Sequence, residues 1–315
     1  MRAALLVLCY ALVLAWVLPV PLRRLSAPGV TPRLGLAAWL TALVSVLGCA
    51  VVALGLLIRA AVAGWPAFAR TVCESVTTGA CPPGVYRNSA YELGLAGLAF
   101  LGVLAMMLLS WRYTRSLHRA RVRTRAHAEA ARITGHRIGA GTVFVLDATH
   151  PAAYSVPGRP PAIVVTSGAL DVLDPGQLSA VLAHERAHLA GRHHLLLAIT
   201  RGLAAIAPGV PLFTRASSAV TRLAEMRADD IAARHAPRRT LLTALLTMSA
   251  SAPAGLAAGP APAAWLGATG GVVAARVQRL ADPAPRARWL GHGLALTTLT
   301  VAIATASVLV PLFAV

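Results

Sequence analysis

The sequence predicts a mainly helical α+β protein, anchored in a membrane by about four spanning helices and carrying one water-facing domain with a small sheet. Three observations carry this prediction. Of the 315 residues, 57% are hydrophobic and only 13% charged, whereas a soluble domain carries roughly 25% charged residues to cover its surface. Four stretches approach the ~20 mostly apolar residues that a spanning helix needs: residues 3–20, 34–58, 91–111 and 289–313. Between the last two, residues 112–288 alternate β-branched runs with helical patterns, punctuated by Gly and Pro.

The first stretch carries Arg2 before its apolar run and Arg23 and Arg24 after it. A secretory leader has the opposite asymmetry, so this segment reads as an uncleaved span. Arginine placement then sets the orientation, because short cytoplasmic loops are enriched in cations. Arg23, Arg24 and Arg33 lie between the first two spans, Arg112 to Arg125 follow the third, and Arg276 to Arg288 precede the fourth. The amino and carboxyl termini and the 59–90 loop are therefore expected outside, and residues 112–288 in the cytoplasm of a multi-pass cell-membrane protein. Domain bounds follow as 1–111 for three spans, 112–288 for the water-facing unit and 289–315 for the fourth span.

Net charge is +18, and every Lys or Arg position is arginine. The arginine-rich run 112–125 lacks interleaved aromatics after Tyr113 and belongs to no recognisable nucleic-acid module. A juxtamembrane stretch beside anionic lipid is the simpler reading. The expected partners are thus the bilayer and a protein or peptide, not nucleic acid. Cys9 and Cys49 fall in apolar runs and read as buried thiols, while Cys73 and Cys81 share the outer loop, where a disulfide can form. No C-x-x-C pair exists, so a metal would have to be held by histidines and carboxylates.

In the water-facing unit, residues 119–133 read as a helix and residues 142–146 and 162–166 as strands. Asp174 before Pro175 is a helix start, and the helix it opens should run to about residue 190 and stop at Gly191 as a C-cap. Residues 195–213 form an apolar helix, either at the membrane surface or in the core, broken near Pro208–Pro211. A further helix covers 217–234, and the Ala/Pro/Gly-rich 249–268 reads as a loop.

Residues 184–188 are His-Glu-Arg-Ala-His. Positions i and i+4 share a helix face, so His184 and His188 can grip one metal ion while Glu185 takes a proton from a water beside it. The motif alone is short enough to arise by chance, and a third ligand decides its meaning. One candidate is Glu225 in Glu-Met-Arg-Ala-Asp, with Asp229 one turn later, placed to accept from a ligand histidine and fix its tautomer. The other is His194, since 184–194 also spells H-E-x-x-H-x-x-G-x-x-H. That second pattern needs a methionine turn, and neither Met226 nor Met248 stands in a turn-like context. Glu225 is favoured, and His193 and His194 read as polar residues beside the membrane.

With these residues quoted, the chain resembles two related groups of membrane zinc metallopeptidases, the HtpX-type proteases and the BlaR/MecR-type signal-transducing peptidases. The markers are AIVVTSGAL (162–170), VLAHERAHLAGRHH (181–194), EMRADDIAA (225–233) and RVQRL (276–280). The resemblance implies a zincin-like cytoplasmic domain with one Zn2+ per chain on His184, His188 and Glu225, Asp229 behind the site, and Glu185 as general base. It also implies an extended substrate paired with an edge strand such as 162–166. In the HtpX type an arginine facing the reaction centre follows a histidine by six residues. Arg276 matches that arginine, but the histidine position is Gly270, leaving Arg276 to act alone as a catalytic residue or with His235 as a substitute. The sensor domain of the BlaR/MecR type uses S-x-x-K, which a chain without lysine lacks.

The function expected is therefore a membrane zinc metalloendopeptidase acting on membrane or membrane-proximal proteins, in signalling or quality control. The alternative is an inactive membrane scaffold or sensor with a zinc site. A transporter is disfavoured, because the spans hold no acidic residue beyond Glu92 at an edge.

Overall fold

The computed structural model describes residues 2–76, 89–138, 142–158, 160–250 and 270–314. Its elements in order are α1 (Arg2–Trp16), α2 (Pro19–Ser26), α3 (Pro32–Val76), α4 (Ser89–Thr134), β1 (His136–Ile138), β2 (Val143–Leu146), β3 (Ala153–Val156), β4 (Ala162–Thr166), α5 (Ser167–Val172), α6 (Pro175–Ala190), α7 (His193–Ile206), α8 (Pro211–Ala232), α9 (Arg238–Ala250), α10 (Gly270–Ala281) and α11 (Arg286–Ala314). Among the described residues the architecture is mainly α with one small sheet, and four helical stretches are long and apolar enough to cross a membrane: Arg2–Ser26, Pro32–Ala63, Leu93–Thr134 and Arg286–Phe313. Large apolar side chains on these helices stay exposed, among them Val44, Phe100, Met107, Leu294 and Phe313. Such a surface suits lipid, not water.

Two helices run further than the sequence reading expected. The third span does not stop at Trp111. It continues as one helix through the arginine-rich run to Thr134, because residues 112–134 contain no Gly or Pro to break it. Likewise α3 passes the expected end at Ile58 and reaches Val76, taking in part of the expected 59–90 loop. Cys9 is exposed, not buried as expected, while Cys49 is buried. The bridging of Cys73 and Cys81 and most of the 249–268 stretch lie outside what is described.

The sheet order is β1-β2-β4-β3, with β2 parallel to β4 and the outer strands antiparallel. The two expected strands are β2 and β4; β1 and β3 are additional. The expectation that 162–166 offers a free edge is overturned. β4 is central, paired on both sides and buried along its whole length. β3 is the outer strand, and α6 packs beside it.

One core joins spans to domain. Trp39 of α3, Leu22 of α2 and Leu296 of α11 are buried together with Leu212, Val220 and Leu223 of α8. Trp39 Nε1 donates to Ser26 Oγ at 3.0 Å, which satisfies the indole where it is enclosed. Arginines from the domain clamp the turn between α2 and α3. Arg222 donates to the carbonyls of Ala27 and Ser26, and Arg279 donates to Gly29 at 2.8 Å and to Asp230 at 2.6 Å. The helix α8, which also carries Glu225, is thereby tied to the membrane-embedded part of the chain.

Candidate active site

The site is built by two helices whose local sequences fix them. Asp174 caps α6 by accepting from the Gln177 amide at 2.8 Å, and the Gln177 side chain accepts from the Asp174 amide at 3.1 Å. This reciprocal box satisfies amides that the first turn leaves without partners. It sets where α6 starts and hence which way His184 and His188 point. Helix α8 buries Leu223, Ala224, Met226 and Ala228 around Glu225 and Asp229, so both carboxylates are carried into the interior against α6.

There they meet the histidines. His184 Nε2 and His188 Nε2 are 3.1 Å apart; His184 Nε2 lies 3.5 Å from Glu225 Oε2 and His188 Nε2 lies 3.5 Å from Glu225 Oε1. A zinc ion with Zn–N bonds of ~2.0–2.1 Å in tetrahedral geometry needs ligand atoms about 3.3 Å apart. His184, His188 and Glu225 form the one group of three or more such side chains able to hold a metal among the described residues. The competing ligand His194 is not in that group.

Behind the donors lies a second layer. Asp229 Oδ1 sits 3.0 Å from His184 Nδ1, the ring nitrogen turned away from Glu225. Arg276 of α10 grips Asp229 with two nitrogens, Nε to Oδ2 at 2.8 Å and Nη2 to Oδ1 at 2.7 Å, and its Nη1 reaches Glu225 Oε2 at 3.2 Å. All of these side chains are nearly enclosed. The guanidinium expected to act as a catalytic residue facing the reaction centre is thus engaged with the two carboxylates, and its geometry is that of a brace. His235, the proposed substitute for the histidine missing at Gly270, is exposed just past the end of α8. Glu185, 8% exposed, has no hydrogen bond or salt bridge among the described residues.

The electrostatics follow from burial and these partners. For His184, burial and the Arg276 cation oppose protonation, but the Asp229 and Glu225 carboxylates prevail and raise its pKa to about 9. For Glu225, burial opposes charge, yet His188, His184 and Arg276 hold its carboxyl well below the usual range. For Asp229 burial again opposes, and Arg276 and His184 bring it down to about 2.

One residue escaped the sequence reading. His193, read there as a polar residue beside the membrane, is buried at the start of α7, with Nδ1 2.9 Å from His188 Nδ1. Gly191 is the C-cap of α6, as expected; its φ is −76°, and the left-handed residue follows it at Arg192, with φ 48°.

Residues 116–207 match the model of Peptidase family M48. That match includes His184, Glu185 and His188 and ends before Glu225. Among known proteins, the "Protease HtpX homolog" of Acidiphilium cryptum (strain JF-5) is 42% identical over 65 residues, a stretch covering 20% of this chain and 22% of that relative. No solved structure gives a significant match. The resemblance to HtpX-type membrane metallopeptidases drawn from the motifs is borne out over this part of the chain. Neither match extends it to the BlaR/MecR type.

Proposed function

We propose that this chain is a membrane-bound zinc metalloendopeptidase that hydrolyses peptide bonds in membrane or membrane-proximal proteins. The observation that carries the reading is the convergence of His184 Nε2, His188 Nε2 and the Glu225 carboxylate at 3.1–3.5 Å, with Glu185 beside them on α6. A zinc ion held there supplies the Lewis acidity that polarises a scissile carbonyl and acidifies a water. Glu185 takes the proton of the attacking water and passes it to the departing amine. Asp229 holds His184 in the tautomer that leaves Nε2 free. Arg276 holds Asp229 and Glu225 in place and balances their charge.

The scaffold alternative needs a closed site, because structural zinc is bound by four protein ligands. His193 could have been the fourth, but it contacts the far nitrogen of His188 and so leaves the fourth position open. An extended substrate would pair with β3, the outer strand that packs beside α6, in place of the enclosed β4.

The domain is proposed to face the cytoplasm. Arg115 stacks its guanidinium 5.2 Å above the Trp111 ring, a Trp–Arg pair suited to the membrane–water boundary, and the arginine-rich part of α4 begins there. Substrates would then be cytoplasmic tails or soluble regulators that come to the membrane, in quality control or in signalling.

The test compares new protein amino termini in cells carrying the wild type or Glu185→Gln. Termini formed only with the wild type are expected. Many membrane-protein termini would indicate quality control and a single regulator would indicate signalling. Identical sets under every stress tried would overturn the peptidase reading.

A further inference from the structure

His193 has two costly features arranged around it. The chain leaves α6 through Arg192 in the left-handed region, the one non-glycine residue with positive φ among those described. A non-glycine residue there crowds its Cβ against the following carbonyl oxygen. Before it stands Gly191, whose φ of −76° any residue could adopt. Its glycine is required by something else: a Cβ at Gly191 would lie 2.5 Å from His193 Nε2 and 2.7 Å from its Cδ2. The reversal and the missing side chain together make room for one imidazole, which is 3% exposed.

That ring faces His188 edge-on, with the planes 87° apart and the two Nδ1 atoms at 2.9 Å. One proton lies between two nitrogens at that distance. The other nitrogen of His188, Nε2, is the one beside His184 and Glu225. A histidine that ligates through Nε2 carries its proton on Nδ1, so His188 donates and His193 accepts. We infer that His193 is a positioning residue, a neutral imidazole whose Nδ1 accepts from His188 and locks that ligand in the tautomer and orientation the metal requires. The two candidate ligand histidines are then braced differently, His184 by a carboxylate and His188 by an uncharged ring. The inference rests on the zinc reading above.

The test measures zinc affinity by competition with a chelator, on the full chain in detergent, without turnover. His193→Phe keeps a ring but removes the acceptor. Gly191→Ala leaves His193 in the sequence and pushes its ring away. Both are expected to weaken zinc binding by about 10–100-fold, the usual effect of losing a partner behind a metal ligand. His193→Asn, which restores an acceptor oxygen, is expected to recover part of that loss. Thermal unfolding of the zinc-free proteins separates misfolding from weakened binding, and Gly191→Ala keeps the test decisive if His193→Phe does not fold. Wild-type affinity in both Gly191→Ala and a folded His193→Phe would overturn the inference, as would a folded His193→Asn no better than His193→Phe. A wild type that binds no zinc would instead overturn the reading beneath it.

Discussion

Gly29 and Met226 touch across the boundary between the spans and the water-facing domain. A methyl group placed on Gly29 would lie 2.1 Å from the Met226 sulfur. Met226 directly follows Glu225 on α8 and is 1% exposed, and Gly29 occupies the left-handed region with φ 62°. The turn between α2 and α3 therefore rests on the residue next to a proposed zinc ligand. Gly29→Ala is expected to destabilise the protein by at least the ~1–2 kcal/mol of a left-handed non-glycine residue, with a further cost from the collision. A lowered thermal midpoint together with reduced zinc affinity is the expected result. A lowered midpoint with wild-type zinc affinity would show that the contact matters only for packing.

Arg276 should act as a brace. Arg276→Met leaves Asp229 and Glu225 buried without the guanidinium that braces both, and removing one partner of a buried pair costs about 3–5 kcal/mol. Denaturant unfolding of the zinc-free protein should show that loss. Arg276→Lys should recover only part of it, because an ammonium cannot reproduce the two-nitrogen grip on Asp229. If Arg276 served a substrate oxygen alone, stability would be unchanged and only turnover would fall.

The His184 pKa makes zinc uptake pH-dependent. Raised to about 9 in the metal-free protein, it means His184 is protonated at neutral pH and must lose that proton to ligate. Apparent zinc affinity should rise from pH 7 to 9 by up to about tenfold per pH unit, with proton release measurable by calorimetry in buffers of different ionisation enthalpy. Affinity that is flat over this window would contradict the raised value.

Stability of the metal-free fold moves the other way. His184 has a folded pKa above its ordinary 6.5, so its contribution is complete below that value and is lost as pH rises toward 9. His193 is lowered to about 4, chiefly by burial and then by His188, so its contribution is complete above 6.5 and lost as pH falls toward 4. These two groups together should place the thermal midpoint of the zinc-free protein at its highest near pH 6.5. A midpoint that climbs steadily from pH 6.5 to 9 would contradict the His184 assignment.

The start of α6 can be tested by itself. Asp174→Ala removes the cap that accepts from Gln177 and should cost about 1 kcal/mol, read as a lowered unfolding midpoint. Asp174→Asn, which keeps an acceptor, should recover most of it.

Features set by neighbouring residues were legible in the sequence. Asp174–Pro175 opened α6 where expected, and the i, i+4 rule placed His184 and His188 on one face. β2 and β4 were found as β-branched runs. The outer strands β1 (His136–Ile138) and β3 (Ala153–Val156) were missed, since three or four residues with mixed side chains carry little periodicity, and their pairing is tertiary. The fusion of the third span with the arginine-rich helix had a signal, the absence of Gly and Pro from 112–134, which outweighs the change from apolar to charged composition. The contact of Arg276 with Asp229 joins residues 47 apart and had no local sign. His193 had a faint one, a glycine and a His-His pair directly after the metal-type motif, but only the packing shows which histidine turns inward.

The most direct test of the central claim measures zinc per chain and hydrolysis of an unfolded protein substrate, using purified full-length wild type and Glu185→Gln. The account predicts about one zinc in each, with hydrolysis at least ~100-fold lower in Glu185→Gln, the range expected for loss of a general acid–base group. A wild type that holds no zinc, or a Glu185→Gln variant that cleaves as fast as the wild type, would contradict it.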